Sequence, residues 1–215
     1  IVLFFYLHIT FHLKVSNDLE IYDIDDPTKE NLEDLCDSRQ PLLFNFNNKI
    51  NSVINENYFL QHCGAFDIKI RNIKDDNIDT EMYLPLIYSK GLELCSKDNE
   101  EKYISESNQE FLEETSIIKI LRSHDSFLKP ELVANSYYDI LFGSKDAYTP
   151  FRYNLSYRNY FLITEGTITI KLAPPKNAKY LNVIKDYDNF EFRSSINVWN
   201  VQKKYKNDYD KIKFL

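Results

Sequence analysis

Apolar positions along this chain change their spacing twice, and the changes mark three stretches. Ile1 to Leu13, IVLFFYLHITFHL, is apolar at nearly every position and sets no face aside for water. Such a run predicts a helix that is hydrophobic all round, the pattern of a membrane or deeply buried segment. As a helix it rises about 20 Å, short of the roughly 30 Å hydrocarbon core, so residues 1–15 read as the end of a transmembrane or membrane-associated helix. His8, Thr10 and His12 would then lie near the interface, with Lys14 opening a polar stretch. A buried first helix or strand is the rival reading.

Residues 16–130 alternate helical and strand spacing. Asp26-Pro27 offers an N-cap and a first-turn proline to a helix carrying Leu32, Leu35 and Cys36. Pro41 to Phe46 predicts a strand with Leu42, Phe44 and Phe46 on one face. A helix over 52–63 should stop at Gly64, and Phe66, Ile68 and Ile70 then alternate as a strand. The acidic run 75–79 reads as an exposed turn and 84–94 as a short helix. Asn108 is placed to cap a helix carrying Phe111 and Leu112, followed by a further turn or two at Ile117, Ile120 and Leu121.

Beyond Pro130 the spacing is nearly all period two. Leu132 to Ile140 predicts a strand, followed by 149–153, 159–164 and 167–172, with Glu165-Gly166 as the turn of a hairpin closed by Pro174-Pro175. A looser region surrounds Phe190, Phe192 and Trp199, and 209–215 looks like the opening of another strand. The fold class expected is α+β, a mixed α/β part over 16–130 and strands over 131–215, with no linker that would separate a second globular domain.

Composition narrows the function. The 215 residues are 43% hydrophobic, enough for a substantial core, and the formal charge of -7 argues against nucleic-acid binding. Lys203, Lys204, Lys206, Lys211 and Lys213 are interleaved with Asp208 and Asp210, which reads as a solvated strand edge. Three cysteines without CxxC spacing suggest reduced, buried side chains. Only His124 has an acidic sequence neighbour, Asp125, and adjacent positions do not share a strand face. No phosphate-binding loop, nucleophile elbow or hydrolytic carboxylate pair is present.

Thr149-Pro150, Asn159-Tyr160-Phe161, Gly166 and Pro174-Pro175, preceded by YYDILFG, together resemble the cupin-like branch of the JmjC superfamily, and from about Pro41 onward the chain resembles cupin-like proteins of large DNA viruses. The resemblance implies a double-stranded β-helix, or jelly-roll, whose last strands and distal histidine would lie after Leu215. In active members a TPxHxD motif supplies iron ligands and a lysine after the glycine turn binds 2-oxoglutarate. Here the two ligand positions are Arg152 and Asn154, and the lysine position is Ile168. A guanidinium has no lone pair for a metal and an amide oxygen is a weak, uncharged ligand.

The implied protein is a catalytically inactive, membrane-anchored structural or interaction component, without a cofactor, in a virion or on a host intracellular membrane. Its partners would be the membrane through residues 1–13 and other protein chains such as capsid or membrane proteins, with no nucleic acid. Two alternatives stand beside it: a JmjC-type Fe(II)/2-oxoglutarate hydroxylase with non-standard ligands, and a small-anion or glycan-binding module. For the last, Thr149, Arg152, Asn159 and Tyr138 are the possible ligand-binding residues, since Arg152 can fork onto an anion. The bland reading has Arg152 paired with Asp139 or Glu165, or facing solvent, and the tyrosines packed in a core.

Overall fold

The computed structural model describes residues 1–12, 14–46, 50, 54–74, 83–187 and 191–215. The acidic turn expected at 75–79, the helix start at 52–53 and Phe190 lie outside the described residues. In chain order the elements are α1 (Val2–His12), β1 (Tyr22–Ile24), α2 (Lys29–Asp37), β2 (Leu42–Phe44), α3 (Glu56–Cys63), β3 (Asp67–Asn72), β4 (Leu84–Ile87) and α4 (Tyr88–Lys97). They continue with β5 (Tyr103–Ser105), α5 (Gln109–Glu114), α6 (Ile117–His124), β6 (Phe142–Gly143) and β7 (Arg152–Tyr153). A 3-10 turn (Pro175–Tyr180), β8 (Val183–Asp186), β9 (Glu191–Ser194), a second 3-10 turn (Lys203–Tyr205) and α7 (Lys206–Tyr209) complete them.

The chain forms two compact units that interleave along the sequence. One holds residues 1–47, 150–162 and 167–215, the other 48–149 and 163–166.

The second unit is built on an antiparallel sheet in the order β4-β3-β5-β6. Its core strand is β3, whose Ile68 and Ile70 are buried as their alternation predicted. Leu84–Ile87 is a strand rather than the start of a helix, and Pro85 explains where it sits. Proline has no amide hydrogen to give a ladder, and β4 is the sheet edge, paired with β3 alone. The helix expected there begins only at Tyr88.

Gly91 lets α4 lie on β3. A Cβ at that position would come within 2.5 Å of Ile68 Cδ1 and 2.7 Å of Ile70 Cδ1. Gly91→Ala is therefore expected to destabilise the unit by about 1–3 kcal/mol, despite alanine's better helix propensity, through overpacking. A lowered urea midpoint with an unchanged m-value is the check. Phe59, Tyr88 and Phe111 stack in the same core at centroid distances of 5.5 to 6.1 Å, and Phe142 meets Tyr88 edge-on at 5.6 Å.

Asn108 does not cap α5 with its side chain. Its Oδ1 accepts from the Lys69 amide at 2.7 Å, and its Nδ2 donates to Ser105 Oγ and the Ile140 carbonyl. Asp139 instead accepts from the Ser107 and Asn108 amides. Side chains thus occupy backbone groups around 107–108 and 140, and the strand expected over Leu132–Ile140 does not form. Pairing begins at Phe142, and Leu132 and Tyr137 stay 94% and 74% exposed.

Beside this network lies a buried ion pair. Arg71 Nε donates to Glu106 Oε1 at 2.8 Å, and a second guanidinium nitrogen lies 2.6 Å from the same oxygen. The two side chains are 8% and 1% exposed.

The first unit contains the parallel pair β1-β2 and the antiparallel sheet β7-β9-β8. Helix α2 starts two residues later than Asp26-Pro27 suggested, because Thr28 Oγ1 takes the Asn31 amide at 3.2 Å and serves as the N-cap. Asp26 has a φ of 45° and lies in the turn before it. Leu32 is fully buried, and Leu42 and Phe44 are more buried than Leu43, as expected.

The fold is α+β, but among the described residues no sheet closes into a barrel. The hairpin expected over 159–172 is not part of any sheet. Consecutive Tyr160, Phe161, Leu162 and Ile163 are between 38% and 59% exposed, so neither face is singled out for burial and no register is enforced. Pro174-Pro175 opens a 3-10 turn, consistent with proline's fixed φ at a helical first position. The strand expected over 209–215 is likewise replaced by the end of α7. Leu215 pairs back, exchanging both backbone bonds with Leu172 at 2.9 and 3.2 Å.

Candidate functional site

Arg152 and Asn154, at the positions where the resembling enzymes hold iron, are exposed. Arg152 sits on β7 opposite Arg193 of β9, and Asn154 Nδ2 donates to Asn159 Oδ1 at 3.4 Å. Neither residue type fits an iron site, because one carries a permanent positive charge and the other a neutral amide. Ile168, at the cosubstrate-lysine position, is 42% exposed. Among the described residues no group of three His, Cys, Asp or Glu side chains is placed to hold a metal.

The four candidate binding residues divide between the units. Arg152 and Asn159 belong to the first, Tyr138 and Thr149 to the second. The Tyr138 hydroxyl donates to Asp125, which also pairs with Lys129 at 2.7 Å. Burial, followed by the Asp125 carboxylate, raises the Tyr138 phenol above its ordinary pKa. The two acids weighed as partners for Arg152 have other engagements: Asp139 on backbone amides, and Glu165 on the Glu56 amide at the start of α3.

His124 does not work with Asp125 as a metal pair. Its Nδ1 lies 2.9 Å from the Ile120 carbonyl, one turn back on its own helix. His62 Nδ1 likewise lies 3.0 Å from the Tyr58 carbonyl, and its ring stacks on Tyr58 at 4.5 Å. Cys63 and Cys95 are buried, which pushes both thiols up, Cys95 to about 11, and makes them poor nucleophiles.

The closest-knit polar cluster of the first unit lies elsewhere. Arg158 donates two parallel bonds to Glu33 on α2, at 2.9 and 2.8 Å, with the guanidinium 11% exposed. Arg39 lies 4.2 Å above the Tyr157 ring, and Cys36 Sγ is 3.8 Å from the Tyr160 hydroxyl. The cluster fastens 157–160 to α2 across more than a hundred residues of sequence. It explains why Asn159-Tyr160-Phe161 is held without a sheet.

The hydrogen bonds from Arg158 hold the Glu33 carboxyl below its ordinary value of 4.5. A depressed carboxyl stabilises the fold above its unfolded pKa and loses that contribution as pH falls through the folded value. Arg158→Met is expected to cost about 2 kcal/mol at neutral pH. The gap from the unsubstituted protein should close as pH falls from 4.5 through the lowered value, as pH-resolved urea titrations would show.

One feature went unread in the sequence. Lys176 and Lys179 join Lys211 and Lys213 around one cleft, although thirty or more residues separate the pairs. Helix α1, read from its apolar run, is exposed from Val2 to Ile9, with Val2 84%, Leu3 68%, Phe4 67%, Phe5 57%, Leu7 57% and Ile9 55% accessible. Its apolar composition was legible, but whether the rest of the chain would cover it was not.

Neither a family model nor a curated protein sequence matches the chain.

Proposed function

We propose that this protein is a catalytically silent, cupin-like domain associated with a membrane through α1, acting as a structural or interaction component of a large DNA virus particle at its inner membrane or minor capsid. The observation that carries the reading is α1 itself. Its apolar side chains face outward on all sides, and each would gain about 1.5–3 kcal/mol from full burial. Among the described residues no helix is long and apolar enough to cross a membrane, and the 11 residues of α1 rise about 17 Å, so the reading is membrane association rather than a described span. Arg152, Asn154 and Ile168 support the silent half of the proposal, because each removes a separate requirement of the iron and 2-oxoglutarate chemistry.

The full-length protein, purified and offered Fe(II) and 2-oxoglutarate, should show neither stoichiometric iron nor cosubstrate turnover, and should float with phosphatidylcholine vesicles. Stoichiometric iron with turnover would overturn the silent assignment. Failure to float would remove the membrane from it and leave the interaction role to protein partners.

A further inference from the structure

Four lysines converge on one open cleft of the first unit. The 3-10 turn at 175–180 supplies Lys176, Asn177, Lys179 and Tyr180, and the segment after α7 supplies Lys211 and Lys213, enclosing about 310 Å³. The two walls are fixed to each other. Buried Asn177 donates from Nδ2 to the Lys213 carbonyl at 3.3 Å, Ile212 is buried between the two lysines of its segment, and the Leu172–Leu215 backbone pair ties together the chain on either side of them.

Tyr180 holds the ammonium groups of Lys179 and Lys211 over its ring, at 4.9 and 5.3 Å from the centroid. Lys211 is also paired with Asp208 at 2.9 Å. Among the described residues, Lys176, Lys179 and Lys213 form no ion pair, and no acidic side chain lines the cleft. Such a concentration of positive charge stands out on a chain of net charge -7.

We propose that this cleft binds a compact ligand bearing two or more phosphate groups. Like charges brought together on fixed walls repel, and a multivalent anion relieves the repulsion. A phosphomonoester carries about -1.5 to -2 at neutral pH, so two such groups match the three lysines that form no ion pair, with Lys211 beside Asp208, where a single carboxylate does not. Lysine ammonium groups suit the task because they act as point charges with three donors each, free to follow a phosphate rather than match a planar fork. The volume lies at the small end of the range for small-ligand sites. The net charge of -7 disfavours an extended nucleic-acid strand, which needs a longer basic track than one cleft.

The same chemistry is offered by a soluble polyphosphorylated metabolite and by a phosphorylated lipid headgroup. The cleft is tied to the segment that follows α1. The Lys176 amide accepts no proton but donates to Asn17 Oδ1 at 3.0 Å, and Lys176 Nζ reaches the Asn17 carbonyl at 3.4 Å, only five residues beyond the end of α1. The cleft itself is inferred from its own residues and does not depend on the membrane reading.

The test titrates the full-length protein with inositol trisphosphate, and separately with phosphatidylcholine vesicles with and without phosphatidylinositol bisphosphate. Saturable trisphosphate binding is expected, weakened about fivefold by Lys179→Ala and by Lys213→Ala, and weakened again by added salt. Lys203→Ala and Lys204→Ala, which remove the same charge outside the cleft, should leave it unchanged, with thermal unfolding confirming that every variant is folded. Absence of saturable binding, or equal weakening by the outside pair, overturns the proposal. A lysine-sensitive gain from bisphosphate in the vesicles identifies the headgroup as the source, and trisphosphate binding without that gain identifies a soluble ligand. Vesicle binding lost while trisphosphate binding stays intact would count against the role of α1 alone.

Discussion

Glu106→Ala is expected to destabilise the protein by about 3–5 kcal/mol, enough to unfold a domain of ordinary stability at moderate temperature. The cost comes from the partner left behind. Arg71 is 6% exposed, and its guanidinium cannot give up its charge, so removing the carboxylate takes the facing negative charge away from a cation buried in the sheet. The double replacement Arg71→Met with Glu106→Leu should recover most of the loss, since two apolar side chains of similar size need no counter-charge. Urea denaturation of both single variants and the double variant would measure the coupling between them. A double variant as unstable as the sum of the single ones would mean that the pair is not the source.

The second large effect concerns α1. Leu3→Asp together with Leu7→Asp should reduce affinity for phosphatidylcholine vesicles at least a hundredfold, because each substitution gives up about 1.5–3 kcal/mol of apolar burial in the interface and adds a charge there. Both leucines are more than half exposed, so the urea midpoint of the folded protein should stay within experimental error of the unsubstituted chain. The contrast separates a surface made for an apolar partner from a helix that the fold needs.

What could be read in advance follows a physical division. Elements whose residues obey one local rule were legible: β3, where Ile68 and Ile70 alternate into the core, the stop of α3 at Gly64, and the apolar positions of α5 and α6. Misreadings arose where a local signal was taken up by a distant group. The spacing over 84–94 is compatible with a helix, but β3 recruits its first residues as an edge strand. Asn108 is a good capping residue by type, yet Lys69, Ser105 and Ile140 claim its side chain.

The strand-like run after Pro130 shows the same limit most clearly. Period two describes residues that fit a sheet, but a sheet also needs a partner in register, and spacing carries no information about one. For the candidate site, residue type alone showed that Arg152 and Asn154 are poorly suited to hold iron. The lysine cleft was not, since its halves come together only through the Asn177 bond and the Leu172–Leu215 pair.

The interleaving of the two units constrains how the chain is made. Glu33 is synthesised long before Arg158, with all of residues 48–149 emerging in between, and β7 before the β9 strand that completes its ladder. Residues 48–166 contain all of the second unit, so it can close during synthesis, whereas the first must wait for residues beyond 167. Throughout that interval α1 is an apolar helix attached to an unfinished unit, a hazard in water and an opportunity for early capture by a lipid surface.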